Sequence, residues 1–219
     1  MNIKLNSPAP KLSVSEWVQG DPTNIDAHRG NVILVEVFQV NCPGCFLYGL
    51  PEAIEVSAKY RAEPFTALGL ATAFEDFDKN NLENLKKLVE TGEVVGETLN
   101  TLKKRDWLDG NKLRYKIPFP VAMDNLVSHD AEHVDQKVIK IIEHEIPKFE
   151  RFSYGEQMRI RSRIRDYVLQ QEYTAETFEN YVMNGTPTSL LIDKKGNLRH
   201  QLFGTTGKLD KLVKELLVE

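Results

Sequence analysis

The chain has 219 residues, 41% of them hydrophobic and 27% charged, so it can bury one substantial core and suits a single decorated domain over 1–219. Its formal net charge of −4 gives no global attraction to nucleic acid or anionic membrane, neither of which binds a mildly acidic chain without a local basic patch. Met1 to Val14 carries Lys4 and Lys11 but no continuous apolar run, which fits neither a secretory signal nor a membrane anchor; as written the chain reads as cytoplasmic, and as exported if a leader has been trimmed.

Val32 to Phe38 is apolar at nearly every position and rich in β-branched residues, which predicts a central strand buried on both faces. A short turn leads to Cys42. From Pro43 onward Leu47, Leu50, Ile54 and Ala58 recur at spacings of three and four, which predicts a helical face ending near Tyr60. Phe65 to Ala71 reads as a second strand. Leu82, Leu85, Leu88 and Val89 read as a helix that continues, with a break at Gly92, towards Leu102. Pro118 to Met123 is a short strand whose prolines fit only its first residues. From about 125 to 184 the chain turns polar and helix-favouring, with one apolar face at Ile139, Ile142 and Ile146. A second lies at Ile160, Ile164, Tyr167 and Val168, and Pro147 stands between them. This reads as an inserted helical subdomain. Thr188 to Ile192 and Leu198 to Phe203 flank the turn Asp193 to Asn197 as a hairpin, and Leu209, Leu212, Val213, Leu216 and Leu217 mark a closing helix.

The only two cysteines lie three apart, in Asn41-Cys42-Pro43-Gly44-Cys45, between a buried strand and the start of a helix. A thiolate in the first helical turn faces unpaired backbone N–H groups and the positive end of the macrodipole, which stabilises its ionised form. Cys42 is therefore read as the nucleophile. Cys45, one turn on, is placed to attack the mixed disulfide that Cys42 forms, and Pro43 stiffens the turn between them. Glu36 interrupts the apolar strand six positions before Cys42. A buried lone carboxylate is costly unless protonated or paired, so Glu36 is the candidate proton relay for Cys45. In Gly185-Thr186-Pro187-Thr188 the bond before Pro187 could be cis, exposing the Thr186 backbone to an extended substrate, although residues alone favour an ordinary trans proline.

Taken together these segments resemble the thioredoxin superfamily, and within it the TlpA-like and redoxin branch of disulfide reductases. The resemblance is carried by Pro8-Ala9-Pro10, Trp17 to Gly20, Arg29 to Val35, the Cys42 to Cys45 motif, and Gly185 to Gly204. It implies an α/β fold: a thioredoxin-like mixed central sheet flanked by helices, with the helical insertion before the cis-proline strand. It also implies an exposed nucleophile at Cys42, an acidic residue at the Glu36 position and a cis Pro187. A protein disulfide substrate would be held by Thr186, Pro187, Asn41, Pro43 and Gly44, an upstream thiol reductant would restore the dithiol, and no cofactor is needed. Three departures stand out. Asn41 replaces the usual tryptophan, Pro51 lies one residue later than the usual helix-kinking proline, and Pro43-Gly44 reverses the Gly-Pro order of thioredoxin.

Two other chemistries compete. A peroxiredoxin needs a threonine or serine three residues before its reactive cysteine and a proline four before that; Cys42 has Gln39 and Val35 there, and Cys45 has Cys42 and Phe38. A metal carrier would combine Cys42 and Cys45 with His129 or His133, but Asp130 and Glu132 beside these make a carboxylate-rich surface helix the better account. The run Arg159 to Arg165 is flanked by Glu156 and Asp166 and lacks stacking aromatics, so it reads as a solvated helix face rather than a nucleic-acid site.

Overall fold

The computed structural model describes residues 3–128, 131–170 and 173–219. The chain falls into two compact units, Met1–Asn125 with Ala175–Glu219, and Leu126–Thr174. In the first unit β1 (Ser7–Pro8), β2 (Val14–Gln19) and β3 (Val32–Phe38) precede a helix that begins at Pro43, passes through a π-turn at Cys45–Gly49 and continues as α1 (Leu50–Lys59). Next come β4 (Phe65–Ala71), α2 (Leu82–Thr91), α3 (Gly96–Lys104), the small pair β5 (Leu108–Asp109) and β6 (Lys112–Leu113), and β7 (Val121–Asp124). The second unit holds β8 (Leu126–Ser128), α4 (Ala131–Glu145), α5 (Tyr154–Gln170) and the first two residues of β9 (Tyr173–Ala175), which pairs with β8; Ala175 already belongs to the first unit. The first unit resumes with α6 (Glu176–Asn180), β10 (Thr188–Ile192), β11 (Asn197–Phe203) and α7 (Leu209–Val218).

A 7-stranded mixed sheet in the order β1-β11-β10-β3-β4-β7-β2 organises the first unit. β3 runs parallel to β4 and antiparallel to β10, and every one of its residues is buried, which is why its sequence is apolar throughout save Glu36. Helices α1 and α7 pack against it. Gly92 adopts φ +79, a left-handed conformation that closes α2 through its N–H to the Leu88 carbonyl, so α2 and α3 are two helices and not one broken helix.

The apolar face of α1 differs from the one its spacing predicts. Leu47 and Leu50 are buried as expected, but beyond them Ala53, Val56 and Tyr60 turn inward, while Ile54 is half-buried and Ala58 exposed. In the π-turn the Leu50 N–H reaches back to the Cys45 carbonyl, five residues away, so one extra residue is wound in and the downstream face is rotated by about one position.

The insertion is also shorter than the expected 125–184. Its second boundary falls at Thr174, because residues 175–184 pack in the first unit. The buried Asp124 carboxylate accepts the Thr177 N–H (2.8 Å), the Phe178 N–H (3.1 Å) and the Thr72 hydroxyl (2.9 Å), holding the start of α6 on the sheet. Phe178 stacks on Phe74 at 4.6 Å, and the buried Tyr181 donates its hydroxyl to the Pro10 carbonyl. Within the second unit Val134, Val138, Ile142 and Val168 form the core, with Ile146 and Ile164 against it. Ile139 and Tyr167, expected on the apolar faces, are 48% and 57% exposed. The spacing-of-four row 134–138–142 takes the inner side of α4 and leaves Ile139, about 100° further round, outside.

The two ends of the insertion meet at Asn125 and Glu176, where the Glu176 N–H donates to the Asn125 carbonyl at 2.9 Å. Replacing residues 126–174 by a short Gly/Ser turn is therefore expected to leave a first unit that unfolds in one cooperative transition, with Tyr181 still protected from solvent. Thermal unfolding followed by near-ultraviolet circular dichroism checks this; loss of the cooperative transition would show that the first unit needs the second.

Candidate active site

The site forms where β3 ends. Its last residues lead through Asn41 to Cys42, and the helix starts at Pro43 immediately beyond. Cys42 and Cys45 are joined in a disulfide, with Cα atoms 5.4 Å apart. Cys42 is half-buried and Cys45 wholly buried. The Cys45 N–H points at Cys42 Sγ from 3.2 Å, so the sulfur sits on the helix start as the motif predicts.

Across from the pair runs Gly185-Thr186-Pro187, whose Thr186–Pro187 bond is cis. The Thr186 carbonyl oxygen lies 3.7 Å from Cys42 Sγ. Pro187 is buried against two glycines: a β-carbon on Gly44 would meet its Cδ at 4.0 Å, and one on Gly49 would lie 2.6 Å from its Cβ.

Gly49 also lies against Glu36. A β-carbon there would come within 2.5 Å of Glu36 Oε1, so only a glycine admits the carboxyl group. Glu36 is fully buried, and the glycine it lies against is four residues beyond Cys45 in the same π-turn. Its Oε2 accepts the Ser189 hydroxyl at 2.6 Å, from the position opposite it on β10, while Oε1 has no hydrogen-bond partner among the described residues. Burial pushes the carboxyl group up to about 7; the Ser189 bond opposes that shift and the nearby Glu52 charge adds to it.

Sequence reasoning missed Gly49 and Ser189. Ser189 left a faint trace, the second of two small polar residues that open a buried strand, whose meaning depends on the β3–β10 register. Gly49 left none, because a helical glycine looks like a tolerated weakness until its neighbours are known.

Asn41, expected beside the substrate, has its side chain bonded to the protein itself. Its side chain donates to Asp76 Oδ2 at 2.9 Å and accepts the Glu97 and Thr98 N–H groups at 2.7 and 3.4 Å, so both ends of the amide are engaged within the protein. Gln39, where a peroxiredoxin has its hydroxyl residue, is buried and accepts the Phe74 N–H. His129 lies outside the described residues, as does the side chain of His133, so the alternative metal set falls outside them too. Among the described residues no helix is long and apolar enough to cross a membrane.

Gly49→Ala is expected to destabilise the protein by about 1–3 kcal/mol, the usual cost of forcing a methyl group into a filled core. Denaturant titration measures it. A neutral result would mean that the helix can move off Glu36 and Pro187 without penalty.

No protein-family model matches the chain, and no curated protein does. Solved structures do match. A thioredoxin-like superfamily protein, SPOA0173, is 25% identical over 97% of both chains, with a TM-score of 0.59. A thiol-disulfide isomerase from Corynebacterium glutamicum is 25% identical over 98% of both, also at 0.59. A thioredoxin-like protein in its oxidized form shares the fold at 17% identity and a TM-score of 0.54, covering 99% of this chain and 98% of that one. With the mixed sheet, the Cys42–Cys45 disulfide at a helix start and the cis-proline loop facing it, these matches make the chain a member of the thioredoxin-like superfamily with a thiol–disulfide redox site.

Proposed function

We propose that the chain is a protein disulfide reductase of the TlpA-like and redoxin kind, in which Cys42 attacks and Cys45 resolves. The observation that carries this reading is the asymmetry of the pair: Cys42 is partly exposed and faces a backbone N–H, while Cys45 is fully buried. The Cys42 thiolate attacks one sulfur of a substrate disulfide, forming a mixed disulfide and releasing the other sulfur as a thiolate. Cys45, deprotonated, then attacks Cys42 Sγ; the Cys42–Cys45 bond forms and the second substrate thiolate leaves. Two electrons pass to the substrate, and an upstream thiol reductant returns them to the pair. Glu36 takes the proton from Cys45 and gives it up on the way to the leaving thiolate, a task suited to a carboxyl group poised near neutrality. The Thr186 backbone beside Cys42 pairs with the extended substrate.

The test is reduction of insulin with a thiol reductant, together with limiting iodoacetamide and peptide mapping on the reduced protein. Insulin should precipitate faster than with reductant alone, and Cys42 should be alkylated first. Preferential labelling of Cys45 would reverse the roles, and no acceleration would remove the reductase reading. In a Cys45→Ser variant the mixed disulfide on Cys42 should persist and carry the physiological partner.

Glu36→Gln gives a pH-dependent signature. Because the folded-state pKa of Glu36 is raised to about 7 from about 4.5, the native state favours the protonated acid. The stability this confers is complete below about pH 4.5 and is lost as the pH rises through about 7. Relative to the parent, Glu36→Gln should thus gain stability between pH 4.5 and 8, by roughly 3 kcal/mol at most. Disulfide exchange should slow on the order of 100-fold. Denaturation midpoints across pH and stopped-flow exchange check both; unchanged exchange would make Glu36 a structural residue only.

A further inference from the structure

The tryptophan expected before the first cysteine is replaced by a side chain that is bonded on every side. Asn41 donates its backbone N–H to Asn80 Oδ1 at 2.7 Å, and the buried Asn80 is itself tied to the Glu75 carbonyl at 2.9 Å. The Asn41 amide donates to Asp76 and accepts from Glu97 and Thr98. One residue earlier, the Val40 carbonyl accepts the Thr98 hydroxyl at 2.9 Å. The two residues before Cys42 are thereby clasped by two separate segments, the loop around 75–80 and the first turn of α3.

The arrangement is specific to this side chain. Val95, which precedes α3, supplies no side-chain cap, and Asn41 Oδ1 takes that place from outside the helix by accepting the N–H groups of its first turn. Gly96 makes the approach possible: its φ is +56, and a β-carbon there would collide with Asn41 Oδ1. An amide is needed because one end must accept from Glu97 and Thr98 while the other donates to Asp76. Leucine could fill the space without holding either, and aspartate could accept but would set a carboxylate against Asp76.

We propose that Asn41 is a positioning residue for Cys42. It fixes the peptide that carries the sulfur, so that the thiolate stays in line with the Cys45 N–H and the helix start. The inference rests on the reading of Cys42 as the attacking thiol. A clasped backbone matters here because thiolate stabilisation by a helix start falls off within the first turn, so a small drift of the sulfur removes much of it.

The test is the thiolate titration of the reduced protein by absorbance at 240 nm, with DTNB reduction followed across pH. Asn41→Ala should move the titration midpoint up by about one unit and slow DTNB reduction at neutral pH roughly three- to tenfold, the rate recovering as the pH rises. Asp76→Ala, which removes one exposed arm of the clasp, should give a smaller shift in the same direction. A lower melting temperature with an unmoved midpoint would assign Asn41 a structural role and overturn the proposal. If Asn41→Ala does not fold, an unmoved midpoint in Asp76→Ala overturns it as well. The titration needs no substrate, so failure of the reductase reading would show instead as absent insulin turnover by the unaltered protein.

Discussion

Three parts of the chain meet at one point, where the backbone of Gly49 lies against both the Glu36 carboxyl group and the ring of Pro187. The helix behind the cysteines, the central strand and the loop facing the sulfur are all located by that contact. It puts a carboxyl group in the core with one oxygen bonded to Ser189 and the other without a partner among the described residues. Burying such a group unsatisfied costs free energy in any fold, and the protonated acid is its less costly state there. The energetic liability and the proposed proton shuttle are thus one feature: a carboxyl group comfortable in water would hold no proton near neutral pH to give.

What the sequence revealed and what it hid follow from the range over which each residue acts. β3, the hairpin of β10 and β11, and α7 were legible because their burial is written locally, as a continuous apolar run in β3, as short apolar runs about a turn in the hairpin, and as helical spacing in α7. The redox pair was legible because a helix start acts on its own first turn. β2 escaped notice: Ser-Glu-Trp-Val-Gln after Val14 is half-buried or exposed throughout, as befits a strand on the sheet's edge, and has no clean alternation. The pairing of Glu36 with Ser189 spans 153 residues and depends on strand register, which composition does not encode. Residues 175–184 look polar enough to belong with the insertion. Yet Thr177, Phe178 and Tyr181 face the first unit, and the buried Asp124 that anchors them lies on the far side of the insertion in sequence.

That anchoring explains how the fold admits an insertion at all. The chain leaves β7 at Asp124 and returns at α6 with its ends already bonded. Ser13 adds its own links, from its N–H to the Thr177 hydroxyl at 2.8 Å and from its hydroxyl to Glu176 at 2.5 Å. Both ends are therefore closed by bonds made within the first unit, and the length of chain between them costs that unit little, since loop-closure entropy grows only slowly with length.

Pro51 shows how one residue's displacement is absorbed locally. In a regular α-helix a proline at this position would press its ring on the Leu47 carbonyl and leave that carbonyl without its donor. The π-turn widens the backbone over Cys45–Gly49, and the Leu50 N–H bonds to the Cys45 carbonyl. The proline can then sit one residue later than in the relatives the sequence resembles. The extra residue must go somewhere, and it is wound into the stretch that approaches Glu36 and Pro187. That stretch has room for backbone but not for a β-carbon, which is why its last residue is glycine. The π-turn thus ends on the one glycine that can lie against both Glu36 and Pro187, and Pro51 follows it in the first turn of α1, where a proline's missing N–H costs least.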